Sequence, residues 1–309
     1  MDKLTERKIN LPDFLVVGAA KAGTTSLYHC LLQHPQIYVS GDIKETCYWV
    51  RDKEIMGNGR GYFEKDFVTE RKRYERLFAK ADSRIHKAIG EVCNAYLYYY
   101  ENTIPNILEN LGDIKIIIIL RNPGDRAYSG YLHLMRDGAV NETFTECMER
   151  EDFRIKDNWW WGFHIVNIGF YYGAVKAYLD NFSQVKIMLY DEFVNNPPEF
   201  IQSIYNFLEV DSSFVPDTNT RYNVTGVHKN KFARWFITDQ GIAKRISRSI
   251  VKFILPACIW SKISGRVRDY LLSRPEIKEE EKNRLKLVYK DEIYKLAGLI
   301  NKDLLFWLE

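Results

Sequence analysis

A few residues in this chain have types and spacing that could do chemistry. Lys21 lies within Gly18-Ala-Ala-Lys-Ala-Gly23, and Thr24, Thr25 and Ser26 follow directly. Glycines, a cation and hydroxyls between an apolar run (Phe14 to Val17) and a helix-like segment (Leu27 to Leu32) make an anion cradle. Backbone N–H groups and a helix N-terminus converge there, and the helix dipole favours negative charge. Gly18 and Gly23 have the spacing of the nucleotide-binding pattern G-x-x-x-x-G-K-[ST], but Thr24 stands where its lysine belongs. The lysine inside the loop argues for a different anion. The plain alternative is a tight strand-to-helix turn with an incidental lysine.

A second group follows the apolar run Lys115 to Leu120: Arg121-Asn-Pro-Gly-Asp-Arg-Ala-Tyr-Ser129. A magnesium-dependent nucleotide hydrolase would place an aspartate near here. Arg121 instead stands at the carboxyl end of a strand, where open α/β sheets bind ligands. Ser129 would lie about one turn into the next helix. A guanidinium and a hydroxyl there can hold a second phosphate; a structural ion pair is the alternative for Arg121. Two anion sites with no obvious metal site result. His133, one helical turn after Ser129, is a candidate base because imidazole titrates near neutrality. Asn158-Trp-Trp-Trp-Gly-Phe-His164 is the strongest candidate for ligand specificity, with Trp160 and His164 singled out. Clustered aromatics stack on sugars, planar rings or cations, or else fill a core.

The elements that must position these residues read as α/β. Phe14 to Val17, Lys115 to Leu120 and Val185 to Tyr190 suit strands buried on both faces of a parallel sheet. Helical patterns cover 126–135, 171–182, 198–208 and 278–300, the last as a packing helix. The alternation predicts a central parallel sheet flanked by helices, and we expect one domain over 1–309.

The 309 residues are 46% hydrophobic and 28% charged with net charge +3, an ordinary globular composition with no preference for nucleic acid. The N-terminal residues lack the apolar core of a secretory signal, and no run is long enough to span a membrane. Five scattered cysteines, without paired Cys or His spacing, read as reduced thiols and not as a zinc site. A cytoplasmic location is the expectation. Residues 229–268 carry ten Lys or Arg and one acidic residue, Asp239. Such a stretch can touch an anionic membrane or form a solvated basic face, and the second reading is preferred.

KAGTTSL after one strand and RNPGDRAYSGY after another resemble the sulfotransferases that use 3′-phosphoadenosine 5′-phosphosulfate, especially the bacterial branch similar to heparan sulfate sulfotransferases. Softer similarities run in order along nearly the whole chain, through HPQIYVSGDIKETCYW, GEVCNAYLYY, VKIMLYDEFVNNP and DLLFWLE. The resemblance implies a P-loop-like α/β fold, the phosphosulfate nucleotide as donor co-substrate, and no metal. It gives Lys21 the bridging oxygen and sulfuryl group. Ala22, Gly23, Thr24, Thr25 and Ser26 take the 5′-phosphate, and Arg121 and Ser129 the 3′-phosphate. Gly226 and Lys229 fall in a segment similar to one that closes over the donor. Glu45 matches the family's catalytic glutamate. Lys44 beside it would weaken it as a base on contact, although adjacent strand residues face opposite ways. Glu91 and Tyr96 match a substrate-side segment. Val92 and Cys93 depart from the heparan-type pattern there, which favours a small acceptor over a glycan.

The expected activity is sulfuryl transfer to a hydroxyl or amine of a small molecule. A glycan or lipid acceptor is the alternative. A magnesium-dependent kinase is opposed by the misplaced lysine. A non-catalytic nucleotide-binding protein on a membrane or polyanion leaves the two anion sites unexplained.

Overall fold

The computed structural model describes residues 10–52, 57, 67–217, 227–228, 272–273 and 275–309. The strands are β1 (Phe14–Gly18), β2 (Ile37–Val39), β3 (Ala88–Val92), β4 (Lys115–Leu120) and β5 (Val185–Leu189). They form one parallel sheet in the order β2-β3-β1-β4-β5. Central β1 pairs with β3 and β4, so that Val16 sits level with Val92 on one side and Ile117 on the other. Phe14, Leu15, Val16 and Val17 are wholly buried, as are Ile116, Ile117, Ile118 and Leu120. Unbroken apolar runs are what strands covered on both faces require. A short pair, β6 (Val227–His228) and β7 (Leu272–Ser273), is antiparallel.

The first helices are α1 (Thr24–Gln33), α2 (Arg71–Arg76), α3 (Ala95–Tyr98), α4 (Tyr100–Leu111) and α5 (Pro123–Arg136). After them come α6 (Phe144–Glu149), α7 (Glu151–Lys156), α8 (Tyr172–Asn181), α9 (Tyr190–Asn195), α10 (Pro197–Phe207) and α11 (Glu279–Ile300). Buried residues of α11 fall at Leu285, Tyr289, Ile293 and Leu296, one stripe at helical spacing. The Tyr289 hydroxyl donates to the Val166 carbonyl at 2.6 Å. Among the described residues no helix is long and apolar enough to cross a membrane.

The chain leaves β1 toward β2 and leaves β4 toward β5, so its connections diverge between the two central strands. A crevice at the carboxyl ends of such strands is where open parallel sheets bind ligands. The loops after β1, β3 and β4 all open there.

Candidate active site

The loop after β1 is shaped by backbone. Lys21 and Gly23 both have left-handed φ, 66° and 87°. Only glycine fits the second position, since an added Cβ would lie 2.9 Å from the Tyr190 ring. Gly23 caps α1 and no side chain does. An N-terminus without a side-chain cap suits an anion, because the first N–H groups of a helix have no acceptor within the helix. Ala22 and Thr24 are buried, while Thr25 and Ser26 are half-buried.

Arg121, just past β4, joins the second motif to this loop. Its Nη1 donates to the Lys21 carbonyl at 3.1 Å, and its guanidinium lies 4.9 Å from the centre of the Tyr190 ring. The next residues fix the direction of α5. Asn122 caps it, accepting from the Gly124 and Asp125 amides at 2.9 and 3.3 Å, and Pro123 opens the helix. Ser129 lies on the buried side of α5. Burial, with the charges of Arg136 and Arg121, lowers the Lys21 pKa from 10.5 to about 7, opposed by Asp137 and Glu45. Lys21, Arg121, Arg136, Asp137 and Glu45 thus share one electrostatic neighbourhood. An anionic ligand would relieve the repulsion among its cations, so these residues fit a phosphorylated sulfate donor.

His133 is in the same neighbourhood but is engaged. Arg136 Nη2 lies 2.6 Å from His133 Nδ1, and a guanidinium can only donate. The ring therefore carries its proton on Nε2, 3.6 Å from Asp137 Oδ2. Burial, Lys21 and Arg136 lower its pKa to about 3. Arg136 and Asp137 were not anticipated as site residues, although their spacing from His133 at the end of a helix was a usable signal.

Glu45 sits in a loop, outside any strand, so alternation does not separate it from Lys44. Lys44 Nζ is 2.5 Å from Glu45 Oε1, and Asn94 Nδ2 donates to the same oxygen at 3.1 Å. Among the described residues both hydrogen bonds fall on Oε1. Asn94, just after β3, was also not anticipated.

Glu91 and Tyr96 do not face an open pocket: they are 4% and 0% exposed. Glu91 accepts from Tyr74 at 2.6 Å, from Tyr96 at 2.7 Å and from Thr46. Burial raises its pKa. The network anchors the loop after Glu45 beneath the site. The three tryptophans diverge, as their adjacency predicts. Trp161 enters the core against Tyr98, Trp159 packs on Phe163 and under Arg154, and Trp160 is half-buried. His164 is buried with Nδ1 2.8 Å from the Tyr98 hydroxyl, and burial lowers its pKa to about 4. Gly226, Lys229 and the basic stretch 229–268 lie outside the described residues.

Residues 11–234 match the model of the sulfotransferase domain. The chain belongs to the sulfotransferase family. Its fold is similar to that of a sulfotransferase from Alicyclobacillus acidocaldarius, with a TM-score of 0.75, 27% identity, and coverage of 97% of this chain and 100% of that one. It is 28% identical over 168 residues to carbohydrate sulfotransferase 15 of Mus musculus, covering 44% of this chain and 29% of the relative. It is 26% identical over 213 residues to bifunctional heparan sulfate N-deacetylase/N-sulfotransferase 2 of Homo sapiens, covering 65% of this chain and 22% of the relative. The chain thus spans less than a third of the length of these curated relatives. The family and the parallel α/β fold expected from the two motifs are confirmed.

Proposed function

We propose that this sulfotransferase moves a sulfuryl group from 3′-phosphoadenosine 5′-phosphosulfate to a hydroxyl or amine of a small molecule. The contact of Arg121 with the Lys21 carbonyl carries the reading, because it makes one cationic crevice from two motifs a hundred residues apart. The donor supplies an activated sulfuryl group with a phosphate as leaving group. The 5′ end belongs at the uncapped N-terminus of α1, and the 3′-phosphate at Arg121 and Ser129. Lys21 balances charge on the bridging oxygen, an electrostatic task for which a preformed cation in a partly dry site is suited. Glu45 takes the acceptor's proton through Oε2, while Lys44 and Asn94 hold Oε1. His133 is a weaker candidate for the base, since Nδ1 is occupied by Arg136 and the ring stays neutral.

A glycan acceptor is the second reading, supported by the carbohydrate and heparan sulfate enzymes among the relatives. The donor half is tested by thermal shift, since a ligand that binds only the folded state raises the midpoint. Adenosine 3′,5′-bisphosphate should stabilise the protein without magnesium. Strong stabilisation by magnesium ATP and none by the bisphosphate would overturn the proposal.

A further inference from the structure

The last turn of α5 holds a side-chain cluster that the proposed chemistry leaves without a task. His133, Arg136 and Asp137 stand three and four residues apart, so they share one face of the helix. The Asp137 amide donates to the His133 carbonyl at 3.0 Å, which keeps that turn regular. Arg136 grips both neighbours. Its Nε donates to Asp137 Oδ1 at 2.8 Å, and its Nη2 donates to His133 Nδ1 at 2.6 Å. Three side chains on one turn make a preformed clamp.

The clamp decides what the ring can do. Nδ1 is the bare nitrogen, because a guanidinium has no lone pair to offer it. A base needs an open lone pair, and the one on this ring is turned to Arg136. What remains is Nε2–H. The Asp137 Oδ2 beside it is 3.6 Å away, too far for a hydrogen bond. Among the described residues Nε2 makes no hydrogen bond. The His133 side chain stays 29% exposed, against 17% for Arg136 and 13% for Asp137.

The ring also lies close to the reactive loop. After burial, Lys21 is the strongest influence on the His133 pKa, ahead of Arg136, which touches the ring. A neutral imidazole can polarise an oxygen when its surroundings keep it from charging. Beside Lys21 the oxygens to be met are those of the sulfuryl group.

We infer that His133 donates a hydrogen bond from Nε2 to the sulfuryl group, and that Arg136 is the positioning residue that holds the ring in that tautomer. The inference rests on the proposed sulfuryl transfer and deepens it. The bond from sulfur to the leaving phosphate oxygen breaks as the bond to the acceptor forms, and the acceptor's proton passes to Glu45. His133 keeps its own proton throughout.

The test needs no acceptor, because the phosphosulfate donor and adenosine 3′,5′-bisphosphate differ at the sulfuryl group. Isothermal titration of the full chain with each gives a ratio of affinities. His133→Ala should lower that ratio about three- to tenfold, the loss of one hydrogen bond. His133→Gln should recover most of it, since a glutamine amide donates an N–H and cannot serve as a base. Arg136→Met should lower the ratio in the unmodified background and leave it within twofold in the His133→Gln background, where no tautomer has to be held. Nitrogen-15 spectra of the histidine-labelled protein at pH 6, assigned by the signals that His133→Gln removes, should show Nε2 protonated and Nδ1 bare. The Nε2 signal should move with the phosphosulfate donor and not with the bisphosphate. A protonated Nδ1 overturns the inference, as does an unchanged ratio in His133→Ala. An equal effect of Arg136→Met in both backgrounds also overturns it, because Arg136 would then act without His133. Failure of the broader reading is separate and shows as binding of neither nucleotide by the unmodified protein.

Discussion

The two sides of the crevice are built on opposite principles. The side we assign to the donor is backbone and charge: a left-handed loop, a helix end without a side-chain cap, and Lys21, whose pKa is lowered by burial and then by Arg136 and Arg121. The neighbouring side is shape: a small cavity lined by rings and by two amides, Asn94 and Asn167, the first joined to Glu45. Charge geometry allows few solutions and is carried by short contiguous motifs. Shape is assembled from loops far apart in the chain and can change without disturbing the donor side.

The comparison requires that charge loss on the donor side stop transfer while the fold survives. Lys21→Ala should cut kcat by about 10³-fold, the scale of removing a preorganised group that meets developing charge. Its unfolding midpoint without ligand should not fall, because burial and two arginines already oppose charge on Lys21. Near-normal turnover would remove Lys21 from the chemistry. On the neighbouring side Glu45→Gln should cost about 10²-fold or more in kcat, the usual contribution of a general base. His133→Ala should cost less than tenfold, because the ring is already occupied. The reverse ranking in initial-rate assays would transfer the base to His133.

Legibility in the sequence divides along the same line. β1 and β4 were readable because each is an apolar run, and the Lys21 loop and Arg121 because each follows such a run directly. β3 was not readable as a strand. Its sequence AIGEV holds a glycine and a glutamate, and both are explained only by tertiary contacts. A Cβ at Gly90 would lie 2.2 Å from the Phe14 ring, and Glu91 finds its three donors on Thr46, Tyr74 and Tyr96. Asn94 was missed for the same reason, since its partner Glu45 lies 49 positions away. The contact of Lys44 with Glu45 was misjudged because strand alternation was assumed where the chain forms a loop.

Arg121 should show a smaller effect, confined to binding. A hydrogen bond to a charged group contributes about 1.5–3 kcal/mol, so Arg121→Ala should weaken bisphosphate binding about 10- to 100-fold. Thermal shift at a fixed bisphosphate concentration would register most of the stabilisation as lost. Arg121→Lys should restore it only in part, because an ammonium cannot form the planar fork and cannot bond phosphate and the Lys21 carbonyl in the same way. Full restoration by lysine would mean that charge alone matters at this position.

The smallest effect tests the electrostatic premise of the donor side. In the ligand-free protein Lys21 has a pKa of about 7, so it is charged below neutrality and largely neutral above it. Binding an anion restores its charge, and above pH 7 that step takes up a proton from solvent. Bisphosphate affinity should therefore fall as pH rises, by about tenfold between pH 7 and 8.5. The ligand's phosphates lose their last protons near pH 6, so above pH 7 their own titration contributes little. Lys21→Arg supplies a permanent charge and should flatten the profile. Isothermal titration at several pH values would show whether the slope disappears in that variant. An equal slope in both proteins would mean that Lys21 is charged throughout, and that the convergence of cations on the loop does not tune it.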